Sequence, residues 1–89
     1  MTYELDCAGT AVVIRVFFPD LEGQWRVTVQ ASRESDGPSS TGAAPSRVEA
    51  FRGIANACRA GAGAGTGLVA LGRLDWDAIE AALVKVRAL

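Results

Sequence analysis

The first residues that could bind a ligand are the glycines of residues 61–67, GAGAGTG. Glycine-rich segments bind phosphate when their N–H groups meet it at the start of a helix that follows a strand. Here the glycines follow a predicted helix, and Leu68 stands where a Walker motif requires lysine. Because glycine and alanine impose little conformational preference, the pattern favours a connector that ends one helix and lets the chain reverse.

A second candidate is the acidic run Asp75-Trp76-Asp77, with Glu80 nearby. Hard cations bind several carboxylate oxygens, but those oxygens must converge on one point. The same residues fit the start of a helix, since Asp75 is a good N-cap and Asp77 adds negative charge where the helix dipole favours it. We expect capping here and no metal.

Catalytic groups are scarce. The chain has no histidine, which removes the commonest general base and metal ligand. Cys7 and Cys58 lie far apart in sequence, both on predicted inward faces, and they are expected to pack in the core as reduced thiols. Arg52 and Arg59 share one flank of a predicted helix and could meet a phosphate or a carboxylate, although a solvated face is the simpler interpretation. The sequence therefore predicts a protein that is not an enzyme and has no cofactor.

Composition limits the other classes of function. The 89 residues carry nine basic and ten acidic side chains, mixed along the chain, so no broad positive field exists to attract nucleic acid or a membrane. No export signal and no membrane-spanning apolar run are visible, so we expect a cytoplasmic protein. Eight arginines against one lysine, with abundant alanine and glycine, suggest a bacterial source.

The first third of the chain alternates between apolar and polar residues, which is typical of strands with one buried face. Three strands are predicted, around Tyr3 to Cys7, over 11–18 and over 25–32, and their short connections favour an antiparallel meander. Residues 34–45, ESDGPSSTGAAP, show no apolar period and predict a mobile surface loop.

Two helices are expected after this loop. Ser46 and Glu49 form a capping box that starts the first helix, and Gly61 is placed to end it. Asp75 starts the second. The residues at helical spacing that should be buried are Val48, Phe51, Ile54, Ala55 and Cys58 in the first helix, and Trp76, Ile79, Leu83 and Val86 in the second. Residues 68–71 could be a short fourth strand or a buried connector, and both readings stay open.

These elements predict a single α+β domain over residues 1–89. We expect a two-layer sandwich in which both helices pack on one face of a three-stranded antiparallel meander, with the possible short fourth strand beside it.

The opposite face of the meander is the most informative surface. If Val12, Ile14, Val16 and Phe18 face the helices, then the alternate residues of that strand point outward together with those of the next strand. An arginine between two apolar side chains in mid-sheet suggests a surface that a partner covers. The candidate partner-binding residues are Val13, Arg15, Phe17, Arg26 and Gln30.

A second copy of the chain is the simplest cover, because a two-fold axis buries the same patch twice. We therefore expect a small interaction or regulatory module that forms a homodimer or binds another small protein. The alternative is single-stranded nucleic-acid binding on the same face, with Phe17 stacking on bases while Arg15 and Arg26 contact phosphates.

The segment FPDLEG, residues 18–23, resembles the FPDLPG turn of HicB-type antitoxins. Those antitoxins place a β-β-β-α core of degenerate double-stranded-RNA-binding type over a toxin partner. The predicted order of elements through the first helix is similar, and Glu22 stands where that family has proline. The resemblance implies a topology only, and it assigns no functional residue to this chain.

Overall fold

A computed structural model describes residues 1–7, 9–31, 39–60 and 71–89. Four strands form one sheet: β1 (Thr2–Cys7), β2 (Thr10–Phe17), β3 (Trp25–Gln30) and β4 (Ser39–Ala44). Their order in the sheet follows their order in the chain, and each neighbouring pair is antiparallel. The predicted α+β class and the antiparallel meander are confirmed, with one strand more than expected.

The added strand β4 corrects the prediction of a mobile loop over 34–45. Residues 39–44 form a strand beside β3, whereas 34–38 lie outside the described residues. The sequence SSTGAA lacks an apolar period because the side of β4 that faces the helices carries only Ser40, Gly42 and Ala44. Small residues are required there, since a β-carbon on Gly42 would lie 2.5 Å from the carbonyl oxygen of Ala50.

The glycine-rich connector predicted over 61–67 also lies outside the described residues. So do residues 68–70 of the segment for which a short fourth strand was considered. Leu71 is helical and fully buried, and the fourth strand of the described sheet is β4.

Both predicted helix starts are confirmed. Helix α1 (Arg47–Ala60) begins after Ser46, whose hydroxyl accepts the N–H of Glu49 at 3.2 Å and donates to the Glu49 carboxylate at 3.1 Å. Helix α2 (Trp76–Lys85) begins after Asp75, whose Oδ1 accepts the N–H of Ala78 at 3.1 Å.

The buried stripe of α2 is confirmed at Trp76, Ile79 and Leu83 and is wrong at Val86. The helix ends at Lys85, Arg87 takes a left-handed φ of 62°, and the N–H of Ala88 bonds to the carbonyl of Leu83 at 2.8 Å. This reversal leaves Val86 half exposed and places Ala88 in the core.

The core lies between one face of the sheet and the two helices. Helix α1 packs on β4 and β3, and α2 packs on β1. The rings of Phe51 and Trp76 meet at 5.8 Å between centroids and join the two helices. The fully buried apolar residues include Val12, Ile14 and Val16 of β2, Val27 and Val29 of β3, Phe51 and Cys58 of α1, and Trp76 and Leu83 of α2.

Neither of the helices in the described ranges has the length and apolar character that crossing a bilayer requires.

Candidate functional site

The five predicted partner-binding residues all lie on the sheet face away from the helices, here called the outer face. The strand register places Val13 opposite Gln30, Arg15 opposite Thr28, and Phe17 opposite Arg26. Because cross-strand partners point to the same side of a sheet, the structure brings these side chains onto one surface. Both described helices pack on the other face, so neither of them covers this one.

The residues at the centre of the outer face are largely inaccessible to solvent. Val13 is 5 % exposed and Gln30 is 4 % exposed, while Arg15 is half-buried and donates from Nη1 to Oε1 of Gln30 at 3.3 Å. These three residues support the surface, and a partner docking on it would reach little of Val13 or Gln30 directly.

The exposed large apolar residues near the outer face lie at the end where β2 turns into β3. Phe17 is 48 % exposed, Phe18 is 74 % exposed and Leu21 is fully exposed, and the exposed Arg26 stands opposite Phe17. Phe17, Phe18, Leu21 and Arg26 are called the Phe17 patch below. Phe17, Phe18, Asp20 and Arg26 line a shallow depression of about 150 Å³ beside it.

The turn that carries this patch is held by its own hydrogen bonds. Oδ1 of Asp20 accepts the N–H groups of Glu22 at 2.9 Å and Gln24 at 3.0 Å, and the N–H of Gly23 bonds to the carbonyl of Asp20 at 3.0 Å. Gly23 has a φ of 78°, which glycine adopts without strain. Asp20 and Gly23 therefore have structural roles in FPDLEG, and the turn presents Phe18 and Leu21 to solvent in a fixed arrangement.

Sequence reasoning missed Phe18 and Leu21. Alternation along β2 predicted that Phe18 would face the helices; β2 ends at Phe17, and Phe18 is 74 % exposed at the end of the sheet, so it is not part of the core. The ring of Phe18 lies 6.5 Å from that of Trp25, and Cζ of Arg47 lies 5.6 Å from the centroid of the Trp25 ring. Pro19, which has no N–H to donate to a sheet ladder, was the available signal that the strand ends before it.

The two arginines of α1 face the second helix. Nε of Arg52 donates to Oε1 of Glu80 at 2.9 Å, and Nη2 of Arg59 donates to Oδ1 of Asp77 at 2.8 Å. A shallow groove of about 130 Å³ lies beside these ion pairs. Each guanidinium therefore has a carboxylate partner on α2, which agrees with the interpretation of these arginines as part of a solvated helix face.

A larger groove of about 250 Å³ lies between β1 and α2. Its apolar lining includes Leu5, Ile79 and the half-buried Cys7, and two carboxylates stand among the lining residues. Oδ1 of Asp6 accepts the N–H of Gly9 at 2.8 Å, and Oδ1 of Asp75 caps α2 as described above.

Cys58 is fully buried, and burial raises the pKa of its thiol, although a hydrogen bond with Ser40 acts in the lowering direction. A thiol in this environment is a poor nucleophile. Among the described residues, no three potential metal ligands converge.

No family model, curated protein or solved structure matches this chain.

Proposed function

We propose that this chain is a small non-enzymatic interaction module that binds a protein partner through the outer face of its sheet, in the first instance a second copy of itself. The observation that carries the proposal is the Phe17 patch: the exposed Phe17 stands opposite the exposed Arg26 on the outer face, and Phe18 and Leu21 are exposed in the chain that turns from β2 to β3. The proposed setting is the bacterial cytoplasm, in line with the arginine-rich composition and the two free cysteines.

The patch has the composition of a contact site. Aromatic residues and arginine are enriched at interfaces, and burying one large apolar side chain contributes roughly 1.5–3 kcal/mol. Because the turn is fixed by the hydrogen bonds of Asp20, little conformational entropy is lost when Phe18 and Leu21 are covered.

The other three predicted residues, Val13, Arg15 and Gln30, support the Phe17 patch in this proposal. The hydrogen bond between Arg15 and Gln30 and the burial of Val13 keep the centre of the outer face ordered. In this proposal Phe17 and Arg26 touch the partner, whereas Val13, Arg15 and Gln30 hold the surface on which they stand.

A non-enzymatic role is supported by the environment of the polar groups. The sequence has no histidine, the carboxylates of Asp75, Asp77 and Glu80 serve a helix cap and two ion pairs, and burial suppresses ionisation of the Cys58 thiol.

Light scattering after size-exclusion chromatography tests the proposal. The wild-type chain should have a mass above that of the monomer, and Phe17→Ser should lower it at the same protein concentration. Val84→Ser is the matched control, because Val84 is 56 % exposed on α2, away from the sheet. A wild-type chain with the mass of a monomer, or a Phe17→Ser variant with the same mass as the wild type, would contradict self-association through the outer face.

The position of Phe17 opposite Arg26 also keeps single-stranded nucleic-acid binding as a second candidate, since an exposed ring beside a cation can stack on a base and contact a phosphate. Fluorescence anisotropy with labelled oligonucleotides at low salt tests it. Binding that weakens steeply with salt and is lost in Arg26→Gln would favour this candidate.

A further inference from the structure

The two edges of the sheet differ in charge. Edge strand β1 carries Glu4 and Asp6 on its outer face, whereas β4, SSTGAA, has no charged residue and no proline. Proteins commonly protect a free strand edge with charge or proline, because its unpaired N–H and C=O groups can bind another strand. In the described part of the sheet, β4 is the edge without that protection.

The part of α1 that lies over this edge contacts β4 through small or aliphatic groups. The carbonyl of Ala50 and the side chain of Ile54 lie over Gly42, and the Cys58 thiol forms a hydrogen bond with Ser40. Helix α1 therefore runs antiparallel to β4 along its length. Arg52 and Arg59 point to α2 on one flank of α1.

The other flank of α1 carries three small exposed residues, with the exposed carboxylate of Glu49 one turn before the first of them. Ala57 lies two residues before Arg59, which places it about 200° around the helix from that arginine. It also lies seven residues after Ala50, so it is close to the line along α1 on which Ala50 contacts β4. Gly53 and Ala60 are exposed on the same flank, and a β-carbon on Gly53 would meet no atom within 4 Å. The flank formed by Gly53, Ala57 and Ala60 is called the small-residue flank.

We propose that β4 and the small-residue flank together form a second binding site, whose occupant is another copy of this chain. A two-fold axis perpendicular to the sheet would place β4 antiparallel to β4 of the other copy and join two four-stranded sheets into one of eight strands. The same axis would bring the two α1 helices side by side in one layer.

The spacing and the charges of β4 and α1 agree with binding of a second copy of the chain. Paired strands lie about 4.8 Å apart, and packed helices lie about 8–10 Å apart, a separation that small side chains permit. Pairing β4 with itself opposes only serine, threonine, glycine and alanine, whereas pairing β1 with itself would bring carboxylates of Glu4 and Asp6 close to like charges. An edge strand fits another strand, and a copy of the chain supplies the strand and the matching helix flank together.

This site goes beyond the proposed function, because it leaves the outer face of both copies uncovered. The two Phe17 patches would then stand on one side of the same eight-stranded sheet. A partner of the outer face would meet two equivalent patches instead of one.

Sedimentation velocity over a wide concentration range, with amide hydrogen exchange of residues 39–44, tests the inference. The wild-type chain should dimerise reversibly, and exchange in β4 should slow as concentration rises. Ala57→Glu should weaken the dimer by roughly tenfold or more, because it places like charges against each other at the interface. Ala81→Glu is the matched control: it makes the same replacement at an exposed alanine of α2, the helix that packs on β1 at the opposite edge of the sheet.

Gly53→Glu repeats the test at a position where a side chain meets nothing in the monomer, in case Ala57→Glu does not fold. A wild-type chain that is monomeric at every concentration, or β4 exchange that does not depend on concentration, would overturn the inference.

If Phe17→Ser abolishes the dimer and Ala57→Glu does not, the outer face is the self-interface and the edge inference is wrong. If Ala57→Glu abolishes it and Phe17→Ser does not, the edge inference stands and self-association through the outer face fails. A tetramer that each variant reduces to a dimer supports both, whereas a dimer that survives both variants overturns both.

Discussion

Gly42 of β4 lies beneath Ala50 of α1 with no room for a side chain between them. A β-carbon on Gly42 would stand 2.5 Å from the carbonyl oxygen of Ala50 and 2.8 Å from Cγ1 of Ile54. Helix α1 therefore reaches its depth over the sheet only because this position is glycine.

We predict that Gly42→Ala destabilises the protein by roughly 1–3 kcal/mol, the usual cost of forcing extra volume into a packed interior. Urea denaturation followed by far-UV circular dichroism measures the change. Gly53→Ala is the control, since its added methyl group meets no atom and removes a helix-interior glycine, and it should stabilise the protein by about 0.5–1 kcal/mol. Equal stability of Gly42→Ala and the wild-type chain would show that α1 does not lie this close to β4.

The same contact explains why β4 could not be found from the sequence. Strand prediction relies on alternating apolar and polar residues, but the side of β4 that faces α1 uses glycine, serine and alanine so that the helix can approach. The requirement comes from α1, which follows in the chain, so the six residues SSTGAA show no pattern of their own and look like a loop.

Features that depend on a few neighbouring residues were predictable. The capping pair of Ser46 and Glu49 and the N-cap Asp75 each use groups three residues apart, and the structure contains both. Alternation placed Val13 and Phe17 on the outer face correctly. Alternation could not show that Val13 is buried on that face. It also could not show that Arg52 and Arg59 form ion pairs with α2, because those contacts join distant segments of the chain.

Trp76 provides a second test of the core. Its Nε1 donates to the carbonyl of Leu71 at 2.9 Å in a buried site, and its ring packs on Phe51. Trp76→Phe keeps an aromatic ring but leaves the Leu71 carbonyl without this donor, so we expect a loss of about 1–3 kcal/mol in the free energy of unfolding.

Trp25→Phe is the comparison for that measurement. Trp25 is only half-buried. Its ring lies beside that of Phe18 and beneath the Arg47 guanidinium, and phenylalanine keeps an aromatic ring at this position. Chemical denaturation should therefore show a smaller loss for Trp25→Phe than for Trp76→Phe. The reverse order would contradict the role assigned to the buried indole.

The two aspartates at the start of α2 should behave differently. Asp75→Ala removes the acceptor for the Ala78 N–H and should cost about 1 kcal/mol, as the loss of an N-cap usually does. Asp77→Ala removes an exposed ion pair with Arg59 and a negative charge in the first turn of α2. Water and salt screen both interactions, so the effect should be smaller and should shrink further as salt is added. Thermal denaturation at low and high ionic strength measures both, and an Asp77 effect larger than that of Asp75 would contradict the capping role.

The two thiols should differ in reactivity. Cys58 is fully buried, whereas Cys7 is half-buried beside the groove between β1 and α2. A thiol reagent at mildly alkaline pH should label Cys7 quickly and Cys58 only as fast as the protein opens, because the thiolate is the reacting form and burial raises the pKa of Cys58. Cys7→Ala should remove the fast phase, and a fast phase that persists in this variant would contradict the assignment.

The raised pKa of Cys58 also predicts how stability depends on pH. Because the folded chain holds the thiol protonated more firmly than the unfolded chain does, its contribution is complete below the ordinary pKa of 9.0 and is lost as pH rises towards the higher folded pKa. Wild-type stability should therefore fall more steeply above that pH than the stability of Cys58→Ala, which is lower overall but lacks the titrating group. Urea denaturation of both proteins at neutral and alkaline pH measures the difference, and parallel pH profiles would show that burial does not hold the Cys58 thiol protonated.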